Sequence, residues 1–108
     1  MLSVLLEFAM FPTSDDGREG SSVSKEVSKV IDAIDKSGIP YQLTAMGTII
    51  EATSMKEALS IVEIAYKQLE DCDRVYSSLK FDIRKNCENR LKTKVEKVER
   101  VLDKKINS

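Results

Sequence analysis

Apolar and polar residues alternate with a period of two from the start of the chain. Leu2, Val4, Leu6, Phe8 and Met10 share one wholly apolar face. The opposite face carries Ser3, Leu5, Glu7, Ala9 and Phe11, a mixture suited neither to bulk solvent nor to a dry core. This pattern predicts a strand over 2–11, ended by Pro12 and followed by a polar, glycine-containing loop over 13–20. The period then changes. Val23, Val27, Val30, Ile31 and Ile34 form a helical stripe, capped by Ser21 or Ser22 and stopped at Ser37-Gly38. Pro40 introduces a strand over 41–46. Gly47 breaks the run, and a further strand over 48–52 pairs with it as a hairpin. A second helix begins at Ser54, where Ser54 and Glu57 have capping-box spacing. Its expected core stripe is Met55, Ala58, Leu59, Val62, Ala65, Tyr66 and Leu69. A fourth strand over 74–84 turns Val75, Ser77, Leu79, Phe81 and Ile83 one way, and Tyr76, Ser78, Lys80, Asp82 and Arg84 the other. A last helix over 88–103 carries a narrow stripe of Leu91, Val95, Val98 and Leu102, closer to a helix-pairing seam than to a core face.

The element order, strand-helix-strand-strand-helix-strand plus a helix, predicts an α+β fold. It is the ferredoxin-like βαββαβ plan with an additional C-terminal helix, in one domain over 1–108. Two helices cover one face of such a sheet. The other must meet water, a partner or a ligand. Leu5 and Phe11 are too apolar for an idle solvent face, and Glu7, Lys80, Asp82 and Arg84 too charged for a dry core. The first and fourth strands are neighbours in this plan, which brings Glu7 near Lys80 or Asp82. Apolar residues with interleaved charges suit a homo-oligomeric interface holding a small polar pocket, or ordinary cross-strand ion pairs.

Composition narrows the functional classes. The chain has 108 residues, 42% hydrophobic and 32% charged, with a formal net charge of −1. No global field draws in nucleic acid or an anionic membrane. The apolar opening is too short to span a bilayer and contains Glu7, so a cytoplasmic protein is expected. No histidine is present. Serine-histidine-aspartate triads, cysteine-histidine dyads and histidine metal sites are therefore excluded within the chain. Cys72 and Cys87 have no CxxC spacing and read as two reduced thiols. No catalytic residue, metal or cofactor is expected. An enzyme would need carboxylate or lysine chemistry, such as Lys80 with Asp82. RNA binding on the open sheet face would need aromatic residues in a basic setting. Phe11 and Tyr76 are the candidates there, and no such basic-aromatic run exists.

Glu51 raises a separate question. It sits at the end of the apolar run Thr48-Ile49-Ile50. If Ile50 points to the helices, Glu51 joins Glu7 on the open face. Alternatively it lies at a strand end, near the helix start at Ser54, where its charge favours the dipole. The loop over 13–22 leads to a helix N-terminus that could hold an anion, but Gly17-Arg18-Glu19-Gly20 lacks the Gly-Lys-Ser/Thr ending of a P-loop. Plain helix capping is the simpler role.

Several segments together resemble the small thiamine-binding protein family. Ser37-Gly38-Ile39-Pro40-Tyr41-Gln42-Leu43, running into Met46-Gly47-Thr48 and Glu51-Ala52, is similar to the family's signature. So are Glu7 with Pro12, Ser22-Val23-Ser24, Lys80-Phe81-Asp82-Ile83-Arg84, and the last helix. The chain departs from the pattern in a longer, charged loop after Pro12 and in Ala52, where glycine is usual. The resemblance implies a ferredoxin-like subunit that self-assembles as a dimer or tetramer through the open sheet face and last helix. It also implies non-catalytic binding of thiamine or its hydroxymethylpyrimidine portion. Glu7 and Glu51 would then be recognition carboxylates, with Ser22, Ser24, Thr44 and Thr48 giving neutral hydrogen bonds. Partners expected on this basis are thiamine or a related pyrimidine and further copies of the chain, with neither nucleic acid nor membrane. The competing expectation is a structural or regulatory oligomeric module without a small ligand.

Overall fold

A computed structural model of the chain describes residues 1–13 and 21–107, with side chains in the first helix from residue 25 onward. Among the described residues, four strands and three helices follow in the expected order. They are β1 (Leu2–Pro12), α1 (Ser21–Ser37), β2 (Tyr41–Thr44), β3 (Gly47–Ala52), α2 (Met55–Lys67), β4 (Val75–Lys85) and α3 (Arg90–Leu102). The sheet order is β2-β3-β1-β4, antiparallel throughout, which is the ferredoxin-like arrangement with an added helix.

Val4, Leu6, Phe8 and Met10 of β1 and Ile50 and Ala52 of β3 make the sheet side of the core. Val30 and Ile34 of α1, Ala58, Ile61 and Ala65 of α2, and Leu69 beyond it close the other side. Small alanines on α2 let that helix lie close to the sheet. The stripe expected on α2 holds for Met55, Ala58, Val62, Ala65 and Leu69, which lie in or against the core, and is corrected at two positions. Leu59 and Tyr66 are about half exposed, whereas Ile61 is 3% exposed. Ala58, Ile61, Ala65 and Leu69, spaced by three and four, are the face that packs. The start of α2 forms as its sequence predicts. The Ser54 hydroxyl accepts from the Glu57 N–H at 3.1 Å, and the Glu57 carboxylate reaches back to the Thr53 N–H at 2.9 Å. At the other end of α1, Gly38 takes the left-handed conformation (φ 80°) that ends the helix.

One mismatch in strand length and one gap in helix cover shape the rest. β4 pairs with β1 along its whole length, from Leu2↔Lys85 to Pro12↔Val75. β3 pairs with β1 only from Val4↔Ala52 to Phe8↔Thr48, so residues 9–12 of β1 run on beyond it. β4 also lies outside the cover of α1 and α2, leaving Leu79 and Ile83 substantially exposed on the helix side. The Cα radius of gyration is 15.6 Å, against about 13 Å for a compact chain of this size. The molecule is correspondingly elongated, 49 × 31 × 22 Å.

Candidate functional site

Register settles the facing of Glu51. Leu6↔Ile50 places Ile50 toward the helices, so Glu51 shares the open face with its partner Leu5 and with Glu7. The carboxylate is not free there. Glu51 is 9% exposed, and its oxygens accept from the Ser3 hydroxyl (2.7 Å), the Arg90 N–H (3.0 Å) and the Leu91 N–H (3.1 Å). The last two are the first main-chain donors of α3, which have no intrahelical acceptor. Asn89, the residue before α3, has a left-handed backbone (φ 55°) and makes no side-chain cap. A carboxylate from a distant strand therefore takes the capping role. The expectation of a dipole interaction is met at α3 rather than at the helix beginning after Ser54.

The Arg90 side chain completes this corner. Nε donates to the Ser3 hydroxyl at 2.9 Å, Nη2 to the Ser3 carbonyl at 2.9 Å and the Asp82 carbonyl at 2.6 Å, and Nη1 to the Asp82 carboxylate at 2.9 Å. Ser3 thus relays between the guanidinium and Glu51. Burial alone would raise the Glu51 pKa. The donors from Arg90, Ser3 and Leu91, with the Arg90 charge, outweigh it and hold the carboxyl below its ordinary value. Sequence reasoning missed Arg90 and Ser3. The available signal was Glu51 itself, because a carboxylate closing an apolar run requires buried donors.

The other expected site residues separate into groups. Glu7 is half exposed on the open face, 3.6 Å from the Lys80 ammonium directly across β1–β4. Beside it lies a depression of about 270 Å³, lined by Glu7, Phe8, Ala9, Met46, Ser78, Leu79 and Lys80. The Thr44 hydroxyl is engaged in the β2–β3 turn, donating to the Gly47 carbonyl at 2.9 Å and accepting from the Met46 and Gly47 N–H groups. Thr48 is buried on the helix side, opposite Phe8. Ser22 and Ser24 fall in the first turns of α1, and their side chains lie outside the described residues, as does the loop over 14–20.

Thr44 and Thr48 line a second cavity of about 290 Å³ with Phe8, Ala9, Met10, Phe11, Val27, Val30, Ile31, Leu43, Ala45, Met46 and Gly47. The two cavities share Phe8, Ala9 and Met46, and so flank the same β2–β3 turn. Gly47 is required at that turn. A Cβ there would lie 2.8 Å from the Phe8 carbonyl oxygen. Phe11 and Tyr76 meet at the same end of the sheet, ring centroids 5.9 Å apart. Glu51 stands toward the other end, against a larger cavity of about 620 Å³ that also touches Glu57, Ile61 and Glu88.

Comparison with known proteins agrees with this architecture. A UPF0045 protein of Methanocaldococcus jannaschii is 36% identical over 99 residues, 91% of this chain and 94% of that one. A second, from Methanothermobacter thermautotrophicus, is 33% identical over 84 residues, 76% of this chain and 85% of its own. The crystal structure of the Methanocaldococcus protein superposes with a TM-score of 0.71, covering 89% of this chain and 95% of that one at 36% identity. A Bacillus cereus domain of unknown function gives 0.72 at 26% identity, covering 88% of each chain. The family described as thiamine-binding protein matches residues 6–99. With that match running from the middle of β1 well into α3, the chain belongs to the thiamine-binding protein family.

Proposed function

We propose that this protein binds thiamine or its hydroxymethylpyrimidine portion without transforming it, and does so as a homo-oligomer. The observation that carries this reading is the family match over residues 6–99, a family named for binding rather than for catalysis. A Thermotoga maritima structure of the same fold, provisionally assigned to thiamine biosynthesis or salvage, supports it (22% identity, TM-score 0.70, 89% of this chain and 98% of that one). The geometry is compatible with a two-part ligand. The cavity at Thr48 offers an apolar wall for a flat ring, and the adjoining depression at Glu7 offers a carboxylate for a cation. Glu51 then acts through α3, as a positioning residue, and Glu7 is the carboxylate that meets ligand. Assembly over the open sheet face would cover Leu5, Ile49, Phe11 and Tyr76.

Calorimetric titration with thiamine and with hydroxymethylpyrimidine tests this directly. Saturable heat is expected from the wild-type protein. Glu7→Gln should weaken thiamine binding about tenfold or more, the value of one charge-assisted contact. No heat and no thermal shift at millimolar ligand would overturn the reading.

A second reading, an oligomeric module without a small ligand, is favoured by the exposed apolar residues Val98, Val101 and Leu102 on α3. A stable oligomer that no pyrimidine shifts would select it.

A further inference from the structure

The main chain of β1 faces its two neighbours alternately. Thr13 N–H donates to the Arg74 carbonyl at 2.9 Å, and the Met1 carbonyl accepts from Asn86 N–H, both on the β4 side. Odd-numbered residues of β1 therefore turn their N–H and C=O toward β4, and even-numbered ones toward β3. The Phe8 carbonyl, aimed at the space beside Gly47, agrees with this phase. Met10 is the next even residue. The β1–β3 pairing has ended by then, at Phe8↔Thr48. Among the described residues no main-chain group bonds to the Met10 N–H or C=O. Pro12, the following even residue, has no N–H to offer.

The cavity at Thr48 opens onto this edge. Four consecutive residues, Phe8, Ala9, Met10 and Phe11, line it. Their side chains alternate between the two sheet faces, so a single face cannot supply all four. The cavity must reach the strand edge itself. Val27 and Ile31 of α1 and Leu43 of β2 give its apolar boundary.

We propose that the Met10 N–H and C=O are the recognition edge for a 4-aminopyrimidine-type heterocycle seated in this cavity. This rests on the pyrimidine-binding reading above and specifies how the ring is read. An extended residue presents its donor and acceptor side by side in one plane. A ring nitrogen flanked by an exocyclic amine presents the complementary acceptor and donor. The ring nitrogen accepts from the Met10 N–H, and the amine donates to the Met10 C=O. The pair of bonds repeats what a further β3 residue would have made. One residue's N–H and C=O, bounded by Pro12, form too short an edge for an incoming strand, which selects a small planar ligand over a peptide.

The test is amide-resolved hydrogen exchange and ¹⁵N–¹H NMR on the full chain, with hydroxymethylpyrimidine as probe. At saturation the Met10 amide should shift, and its exchange should slow about tenfold or more, the effect of one gained hydrogen bond. A 4-oxo analogue, with donor and acceptor exchanged, should bind at least about tenfold more weakly. A pyrimidine that binds while leaving the Met10 amide unshifted and its exchange unchanged overturns this inference and leaves the binding function standing. Absence of any pyrimidine binding overturns both.

Discussion

Glu51 shows how one residue's role depends on a partner far away in the chain. Its oxygens hold the first two N–H groups of α3 and the Ser3 hydroxyl, so removing the charge weakens the cap of a helix. Glu51→Gln should destabilise the protein by about 1–3 kcal/mol, measured by urea unfolding. The loss should appear as faster amide exchange at Arg90 and Leu91. The pH dependence follows from the lowered pKa. The depressed group adds stability above the unfolded glutamate value of about 4.3, and that stability is lost as pH falls through the lower folded value. Acid should therefore loosen the α3 attachment in the wild type. In the Glu51→Gln variant that part of the acid sensitivity should be absent, as read by amide exchange between about pH 5 and 2. Equal acid profiles would show that Glu51 does not control the attachment. The Lys80–Glu7 pair differs in kind. It is exposed, and contributes about 0–1 kcal/mol at most.

At the scale of elements, α2 gives the sharpest contrast. Ile61→Ala should cost about 2–5 kcal/mol because it opens a cavity under a buried side chain, while Leu59→Ala should fall within about 0.5 kcal/mol. Thermal or denaturant midpoints of the two variants check this. The same helix shows what was legible in advance. Its capping residues read correctly, because Ser54 and Glu57 act locally. Its core face is legible at Ala58, Ala65 and Leu69 and, at the margin, at Met55 and Val62. Leu59 and Tyr66 stand out of it and Ile61 replaces them, because the pattern offers apolar residues on more than one side, and only packing against β1 and β3 chooses among them. The strands were read to within a residue or two, with Gly47 rightly marking the hairpin. Glu51 could not be resolved from period alone, since the break at Gly47 leaves register open. Arg90 was invisible, because nothing local distinguishes it from the charged residues along α3.

For the whole molecule, the elongated shape and the exposed stripe on α3 bear on assembly. Leu91 and Val95 are half-buried, while Val98, Val101 and Leu102 stand exposed beyond them. Glu51 and Arg90 tie the start of α3 to the sheet. If copies associate over the open face, sedimentation should give a mass above 12.1 kDa that falls on dilution. Val98→Asp with Val101→Asp should then shift it toward the monomer without loss of far-ultraviolet helix signal. A concentration-independent monomer in the wild type would exclude that mode of assembly. Among the described residues no helix is long and apolar enough to cross a membrane.

The early end of β3 also has a consequence for how relatives could diverge. The β2–β3 hairpin acts as a stop whose position along β1 decides how much of that strand's edge is left unpaired. Two residues added on each side of the turn would carry the ladder from Phe8 to Met10 and fill the notch with protein. Two removed from each side would uncover Phe8 as well and deepen it. Hairpin length, rather than side-chain identity, would then distinguish chains that keep the recess from chains of the same fold that have closed it.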